Sequence, residues 1–280
     1  MRVAYTFSFI PRLLSHSISS TPFPSSKGGG GALQYAKTSP SSGGGRGWGM
    51  EEMKEASRFA VVSFDCYYWS MLHSSRIAAF LLDIGAVRLS VDPPFTWTSG
   101  IKSPIYCDNR MLYSHPAART EIVDALVATV NTLSKKPDVI AGTATAAIGW
   151  GALVADRMQL PFVYVRSKPK EHGAKKRIEG DLKPDRHIVL IEDLISTGGS
   201  SIDAVEALRE EGKGIVTDVV ALFTYELSAA AEKESAAQIT FHPLSSLSAL
   251  LQTAREHDRI TEDDSAEIRR FAKDPKGWRV

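Results

Sequence analysis

An α/β fold, with a doubly wound, mainly parallel sheet flanked by helices, is what the order of apolar patterns in this sequence predicts. Three observations carry that prediction. Short, largely β-branched apolar runs at residues 139–141, 162–165, 188–191 and 218–223 have the length and continuity of strands buried on both faces. Stretches of helical periodicity at residues 116–133, 148–158 and 202–211 separate them, the alternation that builds a parallel sheet. Two strand-to-helix joins are made of small residues, at residues 142–147 and 196–201, and such a join aims backbone N–H groups and the positive end of a helix dipole at one point.

Composition narrows the function classes. The chain has 280 residues, of which 43% are hydrophobic, enough for a substantial core. With 33 basic and 32 acidic residues the formal net charge is +1, so no nucleic-acid or membrane-surface footprint is expected and any anion site must be local. The two cysteines, Cys66 and Cys107, sit in dissimilar contexts with no metal-ligand spacing, which fits a reduced, cytoplasmic protein. No apolar run approaches the roughly 20 residues that a membrane-spanning helix needs.

The first 50 residues lack Asp and Glu, are crowded with Ser and Gly, and carry Arg2, Arg12, Lys27, Lys37 and Arg46. They cannot bury enough apolar surface to offset their ordering entropy, so residues 1–70 are expected to be a disordered extension of a domain at residues 71–280. The same composition fits an organellar transit peptide, residues 3–10 resemble a short secretory apolar run, and Met71 offers a downstream start. Residues 75–82 then have helical spacing, with Gly85 as C-cap. Residues 95–106 read as an extended hairpin turning at Ser99-Gly100. Past the last apolar strand, residues 227–280 read as helical, with an amphipathic segment at 261–272 and no catalytic grouping.

The stretch His187 to Ser201, HIVLIEDLISTGGSS, concentrates the chemistry. Glu192 and Asp193 follow the apolar run directly and can accept hydrogen bonds from sugar hydroxyls. After Leu194 and Ile195, the residues Ser196, Thr197, Gly198, Gly199 and Ser200 supply phosphate donors, so the whole describes a ribose 5-phosphate. A nucleoside-triphosphate P-loop is disfavoured because no Lys occurs from residue 188 to 208, and a dinucleotide site because no G-x-G-x-x-G opens a helix. Residues 142–147 form a second anion-compatible join, whose small residues serve close packing beneath a helix equally well. Between residues 166 and 177 lie Arg166, Lys168, Lys170, Lys175, Lys176 and Arg177 without apolar periodicity. This is a solvated surface, or a cationic lid over the anion site beyond the preceding strand.

Three separated blocks carry a resemblance. Residues 95–110, FTWTSGIKSPIYCDNR, residues 164–173, YVRSKPKEHG, and the acid-pair stretch occur in the order found in type I phosphoribosyltransferases, and residues 71–241 resemble the bacterial orotate phosphoribosyltransferases. The resemblance implies a sheet domain with a small hood subdomain over the active site, and transfer of the phosphoribosyl group of phosphoribosyl diphosphate (PRPP) to orotate in pyrimidine biosynthesis. It implies Mg²⁺ held mainly through PRPP, and a homodimer sharing its catalytic loop across the interface. By the same resemblance Lys170 and His172 are catalytic, and Arg166, Lys170, His172, Glu192, Asp193 and residues 194–200 bind PRPP. Tyr106, Cys107, Arg110 and Ser196 would meet orotate, although Arg110 fits a structural ion pair equally well. Some family members carry a Lys where this chain has Thr98, Ala146 or Ser167, and an orotate-binding Arg near residue 224 that is absent here.

Overall fold

The computed structural model describes residues 73–97, 100–168, 176–275 and 277–278. The expectations placed on residues 1–72, on Thr98 and on Lys170 and His172 lie outside these.

Helix α1 (residues 73–83) leads through Gly85, at φ +75°, to β1 (Val87–Leu89). Strands β2 (Phe95–Thr96) and β3 (Lys102–Ser103) form a short antiparallel hairpin, and β4 (Ile105–Cys107) pairs with β1. The expected hairpin over residues 95–106 is therefore cut in two: after Pro104 the chain leaves β2 and takes β1 as partner. A 3-10 helix (Asn109–Ser114) and α2 (Pro116–Thr132) lead into the main sheet.

That sheet contains β5 (Val139–Thr143), β6 (Phe162–Val165), β7 (Ile178–Glu179), β8 (His187–Ile195), β9 (Ile215–Thr224) and β10 (Thr240–Ser246), in the order β10-β9-β8-β5-β6-β7. All pairs are parallel except β6 with β7. From β5 the chain passes through α3 (Ala147–Met158) to β6 on one side, and from β8 through α4 (Gly199–Glu210) to β9 on the other. The two connections diverge beyond the carboxyl ends of β5 and β8, which opens a crevice where α/β sheets bind ligands.

Side-chain alternation fixes the layers. Ile140, Val189, Ile191, Val220 and Leu222 pack into one core with α1, α2, α3 and two C-terminal helices, α6 (Leu247–Glu256) and α7 (Glu262–Lys273). Val139, Ala141, Ile188, Leu190 and Val219 face the other way, onto Ala204, Val205 and Leu208 of α4. Successive residues of a strand point to opposite faces, so continuous apolar runs are what a sheet covered on both sides demands. Each such side chain, fully buried, contributes about 1.5–3 kcal/mol.

Two boundaries differ from the sequence reading in ways that matter. Strand β8 continues through Glu192, Asp193, Leu194 and Ile195, so the acid pair sits inside the strand, and α4 starts at Gly199 rather than near residue 202. The region after residue 227 is also not all helix: between α5 (Ser228–Ala237) and α6 runs β10, containing Pro243. Proline cannot donate to a ladder, yet β10 is the edge strand and has β9 as its sole neighbour among the described residues.

Candidate active site

Glu192 is almost fully buried because β9 places Ala221 beside it. Its Oε1 accepts the Asp193 N–H at 3.1 Å, and its Oε2 accepts the hydroxyls of Ser200 at 3.3 Å and Ser201 at 3.0 Å. Burial, reinforced by the neighbouring Asp193 carboxylate, pushes the Glu192 carboxyl up to about 8. Burial raises Asp193 as well. Two adjacent acids that resist ionisation together form a site that welcomes hydroxyl donors or a cation.

Three residues on, the chain turns into α4. Gly198 caps the helix at φ +73°, no side chain caps it among the described residues, and its first turn holds no acidic residue. The N–H of Ile202 bonds to the Gly198 carbonyl at 3.0 Å, so the N–H groups before it remain available to an anion. Of the residues expected here, Ser196 is half-buried and Thr197 exposed. Ser200 turns its hydroxyl toward Glu192. Leu194 and Ile195 are packing positions: Leu194 lies against the larger core and Ile195 against Ala221 and Ala230.

The region beside Asp193 is assembled from distant segments. The buried Asn109 donates from Nδ2 to the Asp193 carbonyl at 2.7 Å and accepts the Cys107 thiol at Oδ1 at 3.2 Å. Burial, with Asp193 and Asp108 nearby, holds the Cys107 thiol far above its usual range, so it stays protonated. Tyr225, buried behind it, stacks on Trp97 with ring centroids 6.0 Å apart. Tyr106 is exposed beside Phe95, and the Arg88 guanidinium lies 4.9 Å from the Tyr106 ring centroid and 5.5 Å from that of Phe95. Asn109, Tyr225, Trp97 and Arg88 were not singled out from sequence as site residues; a buried Asn and three large side chains from four separate segments leave no local pattern.

Among the described residues, the expected cations Arg110 and Arg166 have internal partners. Arg110 grips Asp108 through a fork, Nε to Oδ1 at 2.6 Å and Nη2 to Oδ2 at 2.9 Å, the structural ion pair weighed above. Arg166 lies at the end of β6 with Nη1 3.4 Å from Glu179 Oε1 of β7. Its carbonyl accepts Arg177 Nε at 2.9 Å. No group of three or more His, Cys, Asp or Glu suited to a metal occurs among the described residues, and no helix there is long and apolar enough to cross a membrane.

Residues 108–241 match the phosphoribosyl transferase domain profile. The chain is 48% identical over 208 residues, 74% of its length and 99% of the relative's, to the orotate phosphoribosyltransferase of Streptococcus pyogenes serotype M12. Its fold resembles that of Aeropyrum pernix orotate phosphoribosyltransferase, with TM-score 0.57, 26% identity, and coverage of 64% of this chain and 98% of that one. It also resembles Leishmania donovani UMP synthase, with TM-score 0.60 and 31% identity, covering 71% of this chain but only 42% of that longer one. The chain belongs to the orotate phosphoribosyltransferase family.

Proposed function

We propose that the crevice beyond β5 and β8 transfers the 5-phosphoribosyl group of PRPP to orotate, giving orotidine 5′-monophosphate and diphosphate. A ring nitrogen of orotate forms a bond to C1 of the ribose while the C1–O bond breaks; diphosphate departs with that electron pair and takes up the proton released from the ring nitrogen. The observation that carries the reading is the placement of an acid pair at the end of β8, followed within one turn of chain by the uncapped N-terminus of α4.

Glu192 and Asp193 accept the ribose hydroxyls, and the main chain of residues 196–200 holds the 5-phosphate. Asp193 is fixed from behind by Asn109, which ties the acid to the 3-10 helix next to the base. Tyr106, Cys107 and Ser196 border orotate, and the guanidinium of Arg88, rather than the Arg110 fork already closed on Asp108, is the charge complement for its carboxylate. Arg166, with Lys170 and His172 of the segment after β6, neutralises the leaving diphosphate; this is where electrostatic stabilisation does most for such a bond cleavage.

The donor set fits Mg²⁺ held by substrate oxygens rather than by a protein cage, since two carboxylates but no third ligand lie together among the described residues. When bound, Mg²⁺ supplies charge neutralisation of the diphosphate. A homodimer, with residues 166–173 reaching a neighbouring site, and a cytoplasmic location complete the reading.

Mixing the protein with orotate, PRPP and Mg²⁺, with adenine as control base, tests it. Diphosphate release dependent on orotate supports the proposal; release with adenine alone, or none at all, sinks it. In the same assay Lys170→Ala is expected to lower turnover by orders of magnitude.

A further inference from the structure

We infer that Lys233 is a further binding residue for the 5-phosphate of PRPP, adding a positive charge that the loop at residues 196–200 does not contain. The inference rests on the proposed function for the identity of the anion.

Ala230 of α5 packs on the phosphate loop: a Cβ at Gly198 would lie 3.5 Å from its Cα. One helical turn later, Lys233 comes over the first residue of α4. A Cβ at Gly199 would meet two atoms within 4 Å outside its chain neighbours and its own helix, Lys233 Nζ at 3.4 Å and Thr197 Oγ1 at 3.9 Å. The space above Gly199 is thus open and bordered by an ammonium, a hydroxyl and the N–H groups of a helix start.

Lys233 is half-buried, with no ion pair or hydrogen bond among the described residues. The neighbouring Glu234 accepts the Phe241 N–H at 2.8 Å. A lysine at the positive end of a helix dipole is in an unfavourable place. Helix α4 brings no acidic residue in its first turn to relieve it. The arrangement becomes favourable when a dianion enters between the ammonium and the helix start, which is what a phosphate monoester offers.

The test compares wild type, Lys233→Gln and Lys233→Arg in two measurements: ribose 5-phosphate binding by calorimetry, and the KM values for PRPP and orotate in the diphosphate-release assay. Lys233→Gln is expected to weaken ribose 5-phosphate and raise the PRPP KM by roughly tenfold, the size of one charge-assisted hydrogen bond, with the orotate KM unchanged. Lys233→Arg should restore most of both. The ligand-free Lys233→Gln protein should melt at or above the wild-type temperature, because the cation facing the dipole is gone; a lysine serving only the fold would lower it. Ribose 5-phosphate affinity and PRPP KM within twofold of wild type in Lys233→Gln, or failure of the wild type to bind ribose 5-phosphate, overturn the inference. A wild type that binds ribose 5-phosphate but transfers nothing to orotate overturns the proposed reaction and leaves the Lys233 measurement readable.

Discussion

The joins β5–α3 and β8–α4 look alike in sequence, each a buried strand, a run of small residues and a helix, yet they spend their glycines differently. At the first, a Cβ on Gly142 would lie 2.8 Å from the Ala147 carbonyl oxygen, and one on Gly151 would lie 2.7 Å from the Phe162 ring and 3.3 Å from the Gly142 Cα. Gly149 is pressed equally closely by Tyr113, whose hydroxyl donates to the Ala146 carbonyl at 2.6 Å and accepts the Trp150 N–H at 3.0 Å. Small residues here let a helix lie close on its strand. At the second join, Gly198 serves a positive φ and Gly199 faces open space bordered by polar atoms. Small residues at a strand-helix join therefore indicate a ligand only when the space they vacate is left unfilled.

The largest expected effect sharpens the contrast at the acid pair, which the first join lacks. Asp193→Asn combined with Glu192→Gln should lower turnover roughly 10²–10³-fold by removing the groups proposed to hold the ribose during charge separation. A folded double variant with near-normal diphosphate release would remove the pair from the reaction. Next in size, Gly142→Ala should destabilise the protein by about 1–3 kcal/mol in urea unfolding, since backbone atoms have no room to give. Gly199→Ala should stay within about 0.5 kcal/mol of wild type while raising the PRPP KM. Equal stability losses for the two would erase the distinction drawn between the joins.

Glu192 makes a smaller, pH-dependent contribution. Its carboxyl titrates near 8 in the fold against 4.5 for an unburied Glu. The folded protein therefore binds the extra proton, so this stabilisation is complete below about 4.5 and is lost as pH rises through about 8. Wild-type melting temperature should fall between pH 6 and 9. Glu192→Gln should flatten that fall by on the order of 1–2 kcal/mol of stability, although it loses activity. A melting profile identical in both proteins refutes the buried-acid account. Gly198→Ala adds about 1 kcal/mol of backbone strain at φ +73°, with stability reduced and the opposite join untouched.

Strand positions in the sheet were legible because parallel strands covered on both faces must be apolar throughout, and residues 162–165 coincide with β6. The length of β8 was not: Glu192 and Asp193 look like the end of a strand, and only the pairing of Leu194 with Phe223 and Ile195 with Thr224 on β9 shows that the strand continues past them. Strand β10 escaped notice because its Pro243 and polar residues break the apolar rule, which an edge strand is free to do.

The same division runs through the site. Sequence alone placed the acid pair and the small-residue turn before a helix start, because strand, turn and helix are contiguous and their donors follow from backbone geometry. Only the tertiary structure decided that Asn109 would hold Asp193, that Tyr225 would stand behind Cys107, that Arg110 would close on Asp108, and that Lys233 would arrive over Gly199. Those placements depend on which strands pair and which helices pack, and a chain carries no local trace of contacts made across scores of residues.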